Sequence, residues 1–195
     1  MGGIPDRIWN FTLEHEGGYC FDKYDAGGET KYGVSRAYLD DLSRSRPSVL
    51  RDVLGTDVVT RQIIKELTKE QAKALFAYSF WNPLQCGDYH PAVALCAFDM
   101  GVNHGVGNAT RLLQRACNRV LPTLLAVDGK IGPKTKAALR QMATTARIGA
   151  IAAARQDFYD SIVQNRPNQK VFLKGWTRRC TDMLNTAVSW VEEDG

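Results

Sequence analysis

Several things are missing from this 195-residue chain, and each absence narrows what it can be. No apolar run approaches the roughly 20 residues that cross a bilayer, so no stable membrane anchor is expected. The start, Met1 to Arg7, has no basic region followed by a hydrophobic stretch, so no secretion signal is visible and synthesis in the cytoplasm is expected. Asp6 also stands where a myristoylation site wants a hydroxyl. Histidine is scarce: His15, His90 and His104 are scattered without ligand spacing, and no metal site is expected. The five cysteines, Cys20, Cys86, Cys96, Cys117 and Cys180, are odd in number and include no Cys-x-x-Cys pair. That argues against a zinc site or a complete disulfide framework and suits a reducing compartment. Cys20 has no paired histidine and orienting group nearby, as a thiol nucleophile would need. Nor is there a basic run longer than Arg178-Arg179 or a basic strand interleaved with aromatics, so nucleic acid is not an expected partner. The net charge of +4 is mild, enough to favour anionic polymers at long range without specifying one.

What is present is ordinary for a soluble globular protein, with 44% hydrophobic and 24% charged residues and length enough for a proper core. Helical spacing dominates. Ile8, Trp9, Thr12, Leu13 and Glu16 share a face that stops at Gly17-Gly18. Residues 17–34 hold five glycines and read as a loop or small irregular sheet. Ser35 caps a short helix carrying Tyr38, Leu39 and Leu42, while Pro47 and Gly55 break any pattern over 43–59. Thr68-x-x-Gln71 has the form of a capping box ahead of Ala72, Leu75, Phe76 and Phe80, and Asn82-Pro83 ends that helix. Pro91 suits the first turn of the next helix, and Asn103-His104-Gly105-Val106-Gly107 breaks it. A helix from Asn108, a loop at Asp128–Pro133, a helix through Leu139, a long helix over 145–164 and a last one complete the chain. On the last helix Phe172, Trp176, Cys180, Met183, Leu184, Ala187, Val188 and Val191 fall on one side, which reads Trp176 as core. No Ser/Gly-rich linker divides the chain. The expected fold is mainly α, a helical domain with a small β-like lobe near residues 17–34.

The densest chemistry lies in Glu16-Gly17-Gly18-Tyr19, followed by Asp22, Asp25, Gly27-Gly28, Thr30 and Tyr32-Gly33-Val34. A carboxyl at a helix end beside a polar glycine turn containing further carboxyls gives two acids different environments. Glycoside hydrolysis needs that difference: one acid protonated for the leaving oxygen, one ionised to steer water or hold a cationic transition state. Glu14 and His15 adjoin Glu16, but only Glu16 joins the Gly-Gly turn directly. At a helix C-terminus the negative dipole pole disfavours ionisation and raises a carboxyl's pKa. Asp22 and Asp25 both fit the second role, and both also fit turn residues bonded to backbone amides.

These blocks resemble the signature of glycoside hydrolase family 108, N-acetylmuramidases that cut bacterial peptidoglycan. The order Glu, Asp, Thr also resembles the catalytic trio of phage-type lysozymes. Further on, Ala97-Phe98-Asp99-Met100, Val102-Asn103-His104-Gly105, Leu112-Leu113-Gln114 and Val127-Asp128-Gly129-Lys130-Ile131-Gly132-Pro133-Lys134-Thr135 resemble that family's predicted peptidoglycan-binding half. Arg166-Pro167 with Phe172-Leu173-Lys174-Gly175-Trp176 does so too. The likeness covers residues 6–190. It implies a lysozyme-like fold, with a hydrolase region over 6–95 and a peptidoglycan-binding region over 96–191 sharing one core. Glu16 is then the acid, Asp25 the second carboxylate and Thr30 the group that holds the water or the aspartate. Tyr19 and Tyr32 become sugar platforms or lobe packing. Asp99 and Asn103 become substrate-binding residues on a helix that lines the cleft, with a buried capping role as the alternative for Asp99. The implied partner is the peptidoglycan glycan strand. No cofactor is implied, the chain is expected to act as a monomer, and it would reach the wall after release through a pore made by another protein. Two rival readings remain: a lytic transglycosylase, and a non-catalytic wall-binding module using residues 97–190.

Overall fold

Caps written into the sequence set where most helices begin. In the computed structural model, which describes residues 3–16 and 30–194 with Glu16 by its backbone alone, regular structure is almost entirely helical. Tyr19, Cys20, Asp22 and Asp25 lie outside the described residues. The chain divides into two compact units, Met1–Ser79 and Phe80–Gly195.

The first unit is built on α1 (Asp6–Glu16), whose inner face buries Ile8, Trp9, Phe11 and Thr12. Trp9 meets Phe76 edge-on, with ring centroids 5.4 Å apart. Truncating so large a buried ring to alanine typically costs about 3–5 kcal/mol. β1 (Thr30–Lys31) and β2 (Val34–Ser35) pair antiparallel, with Thr30 opposite Ser35 and Lys31 opposite Val34. Tyr32 and Gly33 link them, both left-handed (φ 52° and 76°), the primed-turn geometry that matches strand twist. The described part of the expected β-like lobe is this hairpin.

Ser35 accepts from the Tyr38 amide at 3.2 Å and starts α2 (Arg36–Ser45). Across 43–59 the two pattern breakers turn out to be helix boundaries. Pro47 opens α3 (Pro47–Leu54), where a missing amide costs nothing, and Gly55 closes it in the left-handed region with its N–H on Arg51 O. Thr60 caps α4 (Arg61–Glu66), and Thr68 with Gln71 forms the reciprocal capping box of α5 (Lys69–Phe76). Tyr38 ties α2 to the end of α5 through Leu75 O (3.0 Å) and Ser79 Oγ (2.7 Å).

The second unit surrounds α6 (Pro91–His104), which is buried at every residue from Ala92 to Gly101. A helix apolar all round belongs inside a core. At Gly101 a Cβ would lie 2.4 Å from Leu84 Cδ1, so a larger residue there would force the buried Leu84 side chain to shift. Around α6 pack α7 (Val106–Val120), α9 (Thr145–Asn165) and α10 (Lys170–Glu193), with α8 (Pro133–Leu139) against α7. On α10 the inner face is Arg179, Cys180, Met183, Ala187 and Trp190. Its first two turns bury nothing, which corrects the placement of Phe172 and Trp176 in the core: Phe172 is 53% exposed and Trp176 is half-buried.

Two of the sequence blocks meet at Gln114, which is buried on α7. Its amide nitrogen donates to Asp128 Oδ1 (2.8 Å), Lys130 O (3.1 Å) and Thr135 Oγ1 (3.3 Å), and its oxygen accepts from the Gly129 amide (3.0 Å). One side chain therefore pins the Asp128–Pro133 loop. Among the described residues Cys86, Cys96, Cys117 and Cys180 are free and buried, and no helix is long and apolar enough to cross a membrane.

Candidate functional site

In the first unit, α1 carries the backbone of Glu16 at its last position, on a helix fixed by its buried face. Glu14 is exposed. His15 folds back on its own helix: its Nδ1 lies 3.0 Å from Phe11 O and its ring stacks on Phe11 with centroids 4.6 Å apart. Thr30 is half-buried on β1, and Tyr32 is half-buried at the hairpin turn with Lys31 Nζ 5.5 Å from its ring centre. The positions of Asp25 and Tyr19 lie outside the described residues.

The second unit holds a buried charge cluster that the sequence did not announce. Asp99 on α6 has no exposed surface, nor has Arg155 on α9, and Arg179 on α10 is nearly as buried. Asp99 Oδ1 accepts from Arg179 Nη2 (2.8 Å) and Nε (3.1 Å), and Oδ2 accepts from Arg155 Nη1 (2.7 Å). Burial alone would raise the Asp99 pKa, but the two guanidiniums more than reverse that and hold it below the usual carboxylate range. Arg155 Nη2 is buried with no hydrogen-bond partner among the described residues.

From this cluster a chain of bonds runs to a surface cleft. Arg155 Nε donates to Tyr159 Oη at 2.7 Å, and Tyr159 Oη lies 3.3 Å from His104 Nε2. Burial first, and the Arg155 charge second, push the His104 pKa down to about 4, so the ring is neutral at neutral pH. His104 and Tyr159 line a cleft of about 720 Å3 together with Asn103, Asn108, Asn165 and Trp176. Tyr159 and Trp176 stack at 5.3 Å between centroids, and Trp176 stacks in turn on Phe172 at 6.0 Å.

Of the two residues predicted on α6, Asn103 reaches this cleft, exposed at its lining. Asp99 lies beneath, with both carboxylate oxygens taken by arginine. Sequence reasoning passed over Tyr159, Trp176, Asn108 and Asn165. One signal was available: Phe172 and Trp176 stand one helical turn apart on a helix whose apolar face is otherwise complete without them.

Two family models match the chain. One, Glycosyl hydrolase 108, matches residues 9–105, and the other, Predicted Peptidoglycan domain, matches residues 108–181. Among solved structures, that of Brucella abortus SagA superimposes with a TM-score of 0.69 at 25% identity, covering 95% of this chain and 94% of that one. Among curated proteins no match was found. Helical fold, carboxylate motif and the two matches define a glycoside hydrolase that acts on peptidoglycan. The chain belongs to the glycosyl hydrolase 108 family.

Proposed function

We propose that the chain is an N-acetylmuramidase of lysozyme type, hydrolysing the β-1,4 bond between N-acetylmuramic acid and N-acetylglucosamine and so lysing the wall. The observation that carries this reading is the glycosyl hydrolase 108 match over a stretch in which α1 ends at Glu16 and the order Glu16, Asp25, Thr30 follows. Glu16 protonates the glycosidic oxygen as the bond breaks. Asp25 stays ionised and with Thr30 positions water or stabilises the oxocarbenium-like centre. Tyr19, Tyr32 and Asn103 contact the glycan. Asp99 contributes indirectly, by holding α6 through its arginines. The enzyme works as a monomer at the wall and needs no cofactor.

The test is Glu16→Gln, which preserves shape but cannot donate a proton. Clearance of peptidoglycan suspensions is expected to fall at least about 10²-fold, the lower end of what acid–base catalysis supplies, with Glu14→Gln active as the control. A folded Glu16→Gln protein that clears at the parent rate would refute the assignment. Mass spectrometry of the fragments should show reducing muramoyl ends. Anhydro-muramoyl ends would instead make the enzyme a lytic transglycosylase, and binding to sacculi without soluble fragments would make it a binding module.

A further inference from the structure

Where α9 gives way to α10, through the short turn Pro167–Gln169, apolar side chains stand exposed among cations. Val171 is 78% and Phe172 53% exposed, although α10 has a complete buried face further along. Lys170, Lys174 and Arg178 follow at i, i+4 and i+8, all exposed, and form one ridge on the side away from Cys180, Met183 and Ala187. Val171 stands beside that ridge, and Phe172 lies at its flank against Trp176. Arg166 adds a further exposed cation just ahead of the turn.

Charge is one-sided at this corner. Between Asp160 and Asp182 the sequence has five basic residues and no acidic one, more than the net +4 of the whole chain. One of the five, Arg179, is buried on Asp99. Of the two bounding carboxylates, Asp160 accepts from Gln156 on its own helix and Asp182 pairs with Arg178 at 3.8 Å. Lys170 and Lys174 have no ion-pair partner among the described residues.

We propose that this corner is a reversible docking surface for an anionic lipid bilayer. Val171 and Phe172 enter the boundary between headgroups and acyl chains. Lys170, Lys174 and Arg178 lie along the lipid phosphates, with their alkyl stems beside the apolar pair. A soluble polyanion would engage the cations and leave Val171 and Phe172 in water, so the apolar pair is what selects a bilayer. Each cation strengthens binding to an anionic leaflet only about fivefold, which gives a contact that forms and breaks rather than an anchor. The proposal goes beyond the glycan-cleaving reading and does not depend on which bond is cut.

The experiment uses the full chain and vesicles that hold no glycan, made of phosphatidylcholine alone or mixed with phosphatidylglycerol. Flotation measures binding, and brominated acyl chains measure insertion by quenching tryptophan. Trp9, Trp81 and Trp190 are buried, so half-buried Trp176 beside Phe172 is the fluorophore that insertion reaches. The mixed vesicles should bind at least about tenfold more tightly, with quenching, and added salt should weaken that binding. Lys170→Glu with Lys174→Glu should weaken it at least about tenfold. Val171→Ser with Phe172→Ser should weaken it about three- to tenfold and abolish quenching. Arg115→Glu with Lys134→Glu makes the same change in total charge at exposed positions elsewhere, and should keep binding within about twofold. Equal binding of the parent to the two vesicles would overturn the proposal. So would a control pair as damaging as the Lys170–Lys174 pair. Binding without quenching would overturn it too, and would make the corner a site for soluble polyanions.

Discussion

Replacing Asp99 by asparagine removes one charge from a cluster in which Arg155 is wholly and Arg179 almost wholly buried. The shape is kept and the hydrogen-bonding oxygens are halved, but the carboxylate charge that both guanidiniums share is lost. Breaking a buried ion pair from one side typically costs about 3–5 kcal/mol, because the orphaned charge has neither water nor a partner. For a protein of this size each kcal/mol moves the melting temperature by about 2–4 °C, so a fall of about 6–20 °C is expected. Near-ultraviolet circular dichroism reads it through the aromatic groups of the second unit. Replacing all three residues together, Asp99→Leu with Arg155→Met and Arg179→Met, should cost far less than Asp99→Asn alone, since an apolar set has no charge to desolvate. Acid offers an independent check. The folded-state pKa of Asp99 lies below its unfolded value near 3.8, so its contribution is complete at neutral pH and drains away only as the pH falls below that value. An Asp99→Asn protein that melts within about 2 °C of the parent would refute the claim that the cluster holds α6, α9 and α10 together.

Other perturbations follow from the same structure. Asp25→Asn should lose most hydrolysis while Asp22→Asn keeps it, measured by clearance of peptidoglycan suspensions; full activity in Asp25→Asn would remove Asp25 from the mechanism. Thiol titration under denaturing conditions should find all five cysteines reduced, with the four buried ones slow to react in the native protein, as burial pushes the Cys117 thiol up to about 11 and the others higher than usual. Gln114→Ala should cost about 1–3 kcal/mol by leaving Thr135 Oγ1, the Lys130 carbonyl and the Gly129 amide without this partner, read by denaturant unfolding. Burial first, then Arg155 and Arg179 with Asp99 partly offsetting them, pushes the folded-state His104 pKa down from 6.5 to about 4. Stability should therefore decline as the pH falls from 6.5 towards 4, and His104→Gln should remove that slope.

The helical architecture was legible because its determinants are local. Ser35, the Thr68–Gln71 box and Pro91 act within four residues of themselves, and each stands in the structure where spacing put it. Pro47 and Gly55 show the limit of that logic, since the same residues mark a break or a boundary depending on what lies between them. The cluster under the cleft was not legible. Arg155 sits in an alanine-rich helix where an arginine reads as surface, and its carboxylate partner is 56 residues away. Trp176 misled for the opposite reason: helical periodicity assigns it to the apolar face but cannot say where along α10 the core ends. The Glu16 motif was legible through its order along the chain, and its role rests on the experiments above.

The burial of α6 has a consequence for how such enzymes are inherited and recombined. The two family models part at residues 105–108, where α6 gives way to α7, which invites exchange of modules at that joint. A crossover there would send α6 away with the hydrolase segment, stripping Val93, Leu95, Phe98 and Met100 of their cover and Asp99 of both arginines. The remaining helices would close on an empty axis. Viable chimaeras should instead splice near residue 79, where the compact units divide, so that the first helix of the second unit always travels with the segment named for peptidoglycan binding.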